Sequence, residues 1–108
     1  MADKKKTPAR KTSTATVPRP ESWQDAIRLY LAKVPAVDAV FVNTASGTVH
    51  VYSIVERFQE STYKGLLRQE DRIEKAFPEI SFEFHTRVHQ GRKPTESGPW
   101  GSELVYLR

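Results

Sequence analysis

From residue 21 onward the apolar positions change their period several times, and the changes mark out six elements. Trp23, Ala26, Ile27, Tyr30, Leu31 and Val34 fall at i, i+3, i+4, i+7, i+8 and i+11, which is one stripe of a helix that leaves Gln24, Asp25, Arg28 and Lys33 for solvent. Ser22 stands at the N-cap position, Asp25 follows three residues on in a near capping-box position, and Pro35 marks the far end. Over 36–43 and 48–56 the period becomes two and Val, Ile, Phe and Tyr are enriched, with Ala45, Ser46 and Gly47 between, so this stretch reads as a β-hairpin.

Helical spacing returns over 60–77, where Tyr63, Leu66, Leu67, Ile73 and Phe77 form the expected core stripe and Pro78 closes the element. Glu60 with Lys64 and Asp71 with Lys75 are acid-before-base pairs one turn apart. Gly65 is discordant, since a helix-interior glycine costs roughly 0.5–1 kcal/mol relative to alanine; close packing against a strand would account for it. Over 79–88 the alternation is the clearest in the chain: Ile80, Phe82, Phe84, Thr86 and Val88 share one face, and Ser81, Glu83, His85 and Arg87 share the other. A loop rich in Gly, Pro, Ser and charge fills 90–101, long enough to raise the question of function. Residues 102–107 read as a final edge strand returning antiparallel to the preceding one.

The order is therefore α-β-β-α-β-β. A hairpin followed by a right-handed helical crossover into a third strand predicts an α+β fold, a two-layer sandwich with both helices on one face of a small mixed sheet. The other face is then expected to be open to solvent or to a partner.

Charge changes the picture at one end only. Residues 1–20 carry Lys4, Lys5, Lys6, Arg10, Lys11 and Arg19 against Asp3, a balance of +5, whereas from Glu21 onward 11 basic residues face 12 acidic ones, a balance of −1. The formal net charge of +4 thus belongs to a basic tail over 1–20, whose Lys, Arg, Thr, Ala and Pro show no period and predict disorder; residues 21–108 form the single domain. Contacts from Lys4, Lys5, Lys6, Arg10 and Lys11 to nucleic-acid phosphates or acidic proteins would be salt-sensitive and poor at telling sequences apart. A purely solubilising extension is the alternative. The absence of cysteine excludes disulfides, thiolate metal sites and a cysteine nucleophile. No apolar run approaches the roughly 20 residues that cross a bilayer, so no membrane association is expected and the assigned compartment is the cytoplasm.

Candidate chemistry gathers on the outward side of the strands. One choice of register sets His50, Tyr52, Ile54 and Glu56 beside Glu83, His85 and Arg87. Two imidazoles, a carboxylate and a guanidinium are the groups that metal-independent phosphodiester cleavage uses, with His50 and His85 as acid and base, Arg87 as phosphate clamp and Glu83 as orienting group. A polar solvent face of a half-buried strand has the same composition, and Ile54 among these residues points to a contact surface instead. His85 and His89 lie four apart, a distance of roughly 13 Å along a strand, and cannot share a metal. With no cysteine and no paired ligand motif, a cross-strand set of His50, Glu83 and His85 is the remaining combination; no metal and no cofactor are expected. In the loop, His89, Arg92 and Lys93 surround Gly91 without the strand-to-helix context of a phosphate-binding turn. Trp100, between Pro99 and Gly101, either stacks on a partner or folds back over the sheet edge, and the large apolar area of a tryptophan favours folding back.

The order of elements resembles that of ribosome-associated and RNA-binding αββα-type modules. Gly65 is the only glycine of the second helix, so the Gly-x-x-Gly clamp is missing and no residue role carries over. The reading that follows is a non-enzymatic interaction module that binds a protein or nucleic-acid partner through the sheet face, the 90–101 loop and the tail. Its binding residues are Tyr52, His85, Arg87, His89, Arg92, Lys93 and Trp100. The alternative is the small nuclease or phosphodiesterase built on His50, His85, Arg87 and Glu83. A homodimer through the C-terminal edge strand is a further expectation.

Overall fold

The computed structural model describes residues 19–108, so the tail cations from Lys4 to Lys11 lie outside the described residues. The elements are α1 (Trp23–Leu31), β1 (Val37–Ala45), β2 (Thr48–Val55), α2 (Glu60–Ala76), β3 (Ser81–Val88), a short 3-10 turn (Pro94–Glu96) and β4 (Glu103–Leu107). The expected α+β sandwich is present: a four-stranded mixed sheet in the order β3-β2-β1-β4 carries both helices on one face.

Three of the element boundaries have a clear local cause. The Ser22 hydroxyl accepts from the Asp25 amide at 3.1 Å and so caps α1, while Asp25 turns its own carboxylate to Arg28 at 2.8 Å instead of closing a reciprocal box. Between β1 and β2, Ser46 and Gly47 both have positive φ, the two-residue turn whose twist matches an antiparallel hairpin. At the C-terminal end of α2 the Arg19 guanidinium donates to the Ala76 carbonyl at 2.9 Å and lies 4.4 Å over the Phe77 ring, satisfying an orphan carbonyl of the last turn. Lys64–Glu60 at 3.4 Å and Lys75–Asp71 at 3.0 Å pair along the exposed side of α2 as its spacing predicts.

The core lies between the layers. Ile27 and Leu31 of α1 and Leu66 and Ile73 of α2 pack on Val37, Val40, Val42, Val49, Val51 and Val55, with Phe82, Phe84 and Val88 at the β3 side. The register of α2 departs from the expected stripe. Leu66, Ile73 and Phe77 are buried, yet Tyr63 and Leu67 face solvent and Thr62 and Gln69 take the inward positions. Gly65 also departs from expectation: its neighbour is Val34 in the α1–β1 connection, not a strand, and an added methyl would meet Val34 at an ordinary 3.7 Å.

The last strand corrects the sequence reading most sharply. β4 pairs antiparallel with β1, so it lies at the opposite edge from β3 and runs parallel to it. To get there the chain after β3 must cross the sheet, and it crosses on the face away from the helices. No helix among the described residues is long and apolar enough to cross a membrane.

Candidate functional site

Two structures share the second sheet face: a crossing loop and an uncovered cluster. The crossing segment is fastened at both ends and in the middle. His89 follows β3 with its ring turned inward, Nε2 2.8 Å from a carboxylate oxygen of Asp38 and Nδ1 accepting the Gly91 amide at 3.2 Å, which assigns the proton to Nε2. His89 is therefore a buried anchor, in contrast to its expected place among the loop's binding groups. Arg87 donates from Nε to the Ser97 carbonyl at 2.9 Å, so the expected phosphate clamp holds the loop. Gly98 lies flat against Phe41, where a Cβ would come within 2.5 Å of the ring, and only glycine lets the backbone pass that closely.

Beneath this segment Ala39, Phe41 and Ile54 form a second small core. Ile54, whose position on the outer face pointed to a partner contact, is fully buried, packed with Ala39, Phe41 and Tyr52. Half of the face that was expected to be open is therefore closed. A sequence signal for this existed: Ala39, Val40, Phe41 and Val42 are apolar at both parities, which marks a strand covered on both sides.

The other half stays uncovered. The parallel register of β2 and β3 sets His50 opposite Glu83, Tyr52 opposite His85 and Ile54 opposite Arg87. Adjacent strands lie 4.7–4.9 Å apart, and the three rings stack across that gap: Tyr52 on His85 at 4.7 Å and 14°, His50 on His85 at 5.5 Å and 20°. His50 Nδ1 and His85 Nε2 are 3.3 Å apart, a hydrogen bond in which one ring donates and the other accepts. The Glu83 carboxylate reaches both, 3.8 Å from His50 and 3.5 Å from His85. The register thus brings together His50, Tyr52, Glu83 and His85, while Arg87 is drawn away toward Ser97.

Arg92 and Lys93 are exposed on the loop, and Arg92 also donates from Nε to the His89 carbonyl at 3.3 Å. Trp100 does not fold over the edge as its size favours; it is 99% exposed. The cause is a tight turn in which the Ser102 amide bonds the Pro99 carbonyl at 3.1 Å and Gly101 adopts φ +83, which pushes Trp100 outward from the tip. Leu104 and Leu107, on the neighbouring strand edge, are 39% and 53% exposed.

One carboxyl is displaced far from its ordinary range, and it lies in the helical layer. Burial on α2, with the Glu74 charge one turn on as the lesser cause, pushes Glu70 up to about 7. Compared with known protein families and with curated proteins, the chain matches none of them.

Proposed function

We propose that this protein is a non-enzymatic interaction module whose folded domain docks a partner protein at Trp100 and the β4 edge. The observation that carries the reading is Trp100, fully exposed at the tip of a segment fastened by His89–Asp38, Arg87–Ser97 and the Gly98–Phe41 contact. With only two side-chain torsions to fix, a tryptophan loses little entropy on docking for the apolar area it offers, and it is among the residues most enriched at binding hot spots. Leu104 and Leu107 extend the apolar surface along the same edge.

A protein fits this surface better than a nucleic acid. From Glu21 onward the chain carries 11 basic and 12 acidic residues, so the domain lacks the excess of cations that phosphate backbones require. The cluster geometry also weighs against phosphodiester cleavage. An acid and a base must flank the scissile group, but the His50 and His85 nitrogens bond each other at 3.3 Å and Arg87 is engaged with Ser97.

The test is affinity capture by the full-length chain, quantified against Trp100→Ala, together with an assay of RNA and DNA turnover. A hot-spot loss of 2 kcal/mol or more corresponds to roughly 30-fold weaker recovery of the partner, with the melting temperature unchanged. Equal recovery by both proteins would sink the docking site. Turnover that disappears in His85→Ala would hand the function to the nuclease reading.

A further inference from the structure

The imidazole and carboxylate cluster has a geometry that neither solvent exposure nor partner docking requires. We propose that His50, Glu83 and His85 form a binding site for a divalent transition-metal ion of the zinc class. It stands independently of the docking site at Trp100.

The donor atoms are already gathered. One ligand atom from each of the three residues lies within 4.8 Å of the others, with the two imidazole nitrogens 3.3 Å apart and the carboxylate at 3.5 and 3.8 Å from them. Ligands held at 2.0–2.1 Å around a tetrahedral ion are separated by about 3.4 Å. The two nitrogens already stand at that separation, and a movement of about an ångström by the exposed Glu83 carboxylate brings one of its oxygens to the same distance from both. Their backbone positions make this more than a chance approach. His50 and Glu83 are direct partners on adjacent strands, and His85 follows Glu83 by two residues on the same face, so the sheet itself holds the three side chains in a triangle.

Tyr52 contributes order without being a ligand. Its ring stacks on His85 at 4.7 Å, which limits the rotation of the imidazole and fixes the direction of Nε2. In the metal-free protein one of the two nitrogens donates its proton to the other; to bind an ion the donor ring carries that proton on its remote nitrogen instead, so that both lone pairs face the metal. Glu83 then supplies one negative charge against the two of the ion.

The donor set also decides which ions fit. Two imidazoles with one carboxylate suit zinc, cobalt or nickel, whereas calcium and magnesium call for oxygen ligands throughout. The side chains are 23%, 34% and 58% exposed for His50, His85 and Glu83, so the fourth coordination position opens to water. That arrangement matches sites with an exchangeable ligand and differs from closed structural ones.

The experiment is calorimetric titration of full-length, chelator-stripped protein with zinc chloride, paralleled by cobalt chloride followed in the visible spectrum. One ion per chain should bind, and cobalt should give the intense ligand-field absorption of a tetrahedral or five-coordinate site. His50→Ala, His85→Ala and Glu83→Gln should each weaken binding at least tenfold. Amide shifts on zinc addition should centre on residues 50, 83 and 85. His85→Gln, which keeps a planar polar side chain beside Tyr52, guards against a folding defect, and the melting temperatures of all variants are measured without metal. Failure of zinc to bind, or binding undiminished in both histidine variants, overturns the site. Neither outcome bears on capture through Trp100, so the two proposals fail separately.

Discussion

The two halves of the second sheet face, which have only β2 in common, meet opposite fates. Toward β1 and β4 the outward side chains are Ala39, Phe41 and Ile54, and the chain's own 89–101 segment closes over them. Toward β3 they are His50, Tyr52, Glu83 and His85, the three rings half-buried against one another and still reached by water, the carboxylate exposed, with Tyr52 also packing on the edge of the small core. The difference teaches where stability and where chemistry reside. Burying apolar area stabilises the covered half, and the open half retains groups whose value lies in what they bind.

If that division holds, mutations should separate the halves by magnitude. Phe41→Ala removes the ring on which the crossing segment rests and should cost about 3–5 kcal/mol, the usual range for a buried phenylalanine. Against a total stability of 5–15 kcal/mol that is a severe loss, to be measured by urea unfolding. Gly98→Ala places a methyl 2.5 Å from the Phe41 ring and should cost about 1–3 kcal/mol, and proteolysis within 90–101 should accelerate because the segment lifts off.

The helical layer sets a background against which both are read. Glu70 keeps its proton in the folded protein up to about pH 7 and loses it near 4.5 when unfolded. Between those values the native state binds more protons than the unfolded one, so stability should fall as pH rises from 4.5 through 7. Screening at a partly exposed carboxyl keeps the drop to on the order of 1 kcal/mol. Melting curves of Glu70→Gln should lack this slope. The smallest effect belongs to the open half: His50→Ala and His85→Ala should each change stability by less than about 0.5 kcal/mol in the absence of metal. A loss comparable to that of Phe41→Ala would erase the contrast between the halves.

How much of this was legible in the sequence depends on the range of the forces involved. The cap at Ser22, the turn at Ser46 and Gly47 and the alternation through Phe82 and Phe84 are local, and each is read directly from residue types. The meeting of His50, Glu83 and His85 needed only the correct parity of two strands. The placement of β4 did not follow, because period two identifies a strand without naming its partner, and the choice of edge was made by a loop crossing over Phe41 and Ile54. The inward face of α2 was likewise hidden. Tyr63 and Leu67 are more apolar than Thr62 and Gln69, yet the way the helix sits against α1 and the sheet turns the latter pair inward.

The location of β4 also bears on how the protein emerges during synthesis. Nearly sixty positions separate Ala45, the last residue of β1, from Glu103, the first of its outer neighbour. At translation speeds of roughly 5–20 residues per second, the outer hydrogen-bonding edge of β1 stays bare for about 3–12 s on the ribosome. That interval, and not the finished molecule, is when this chain is most open to capture by chaperones or by sticky β-edges of other nascent polypeptides.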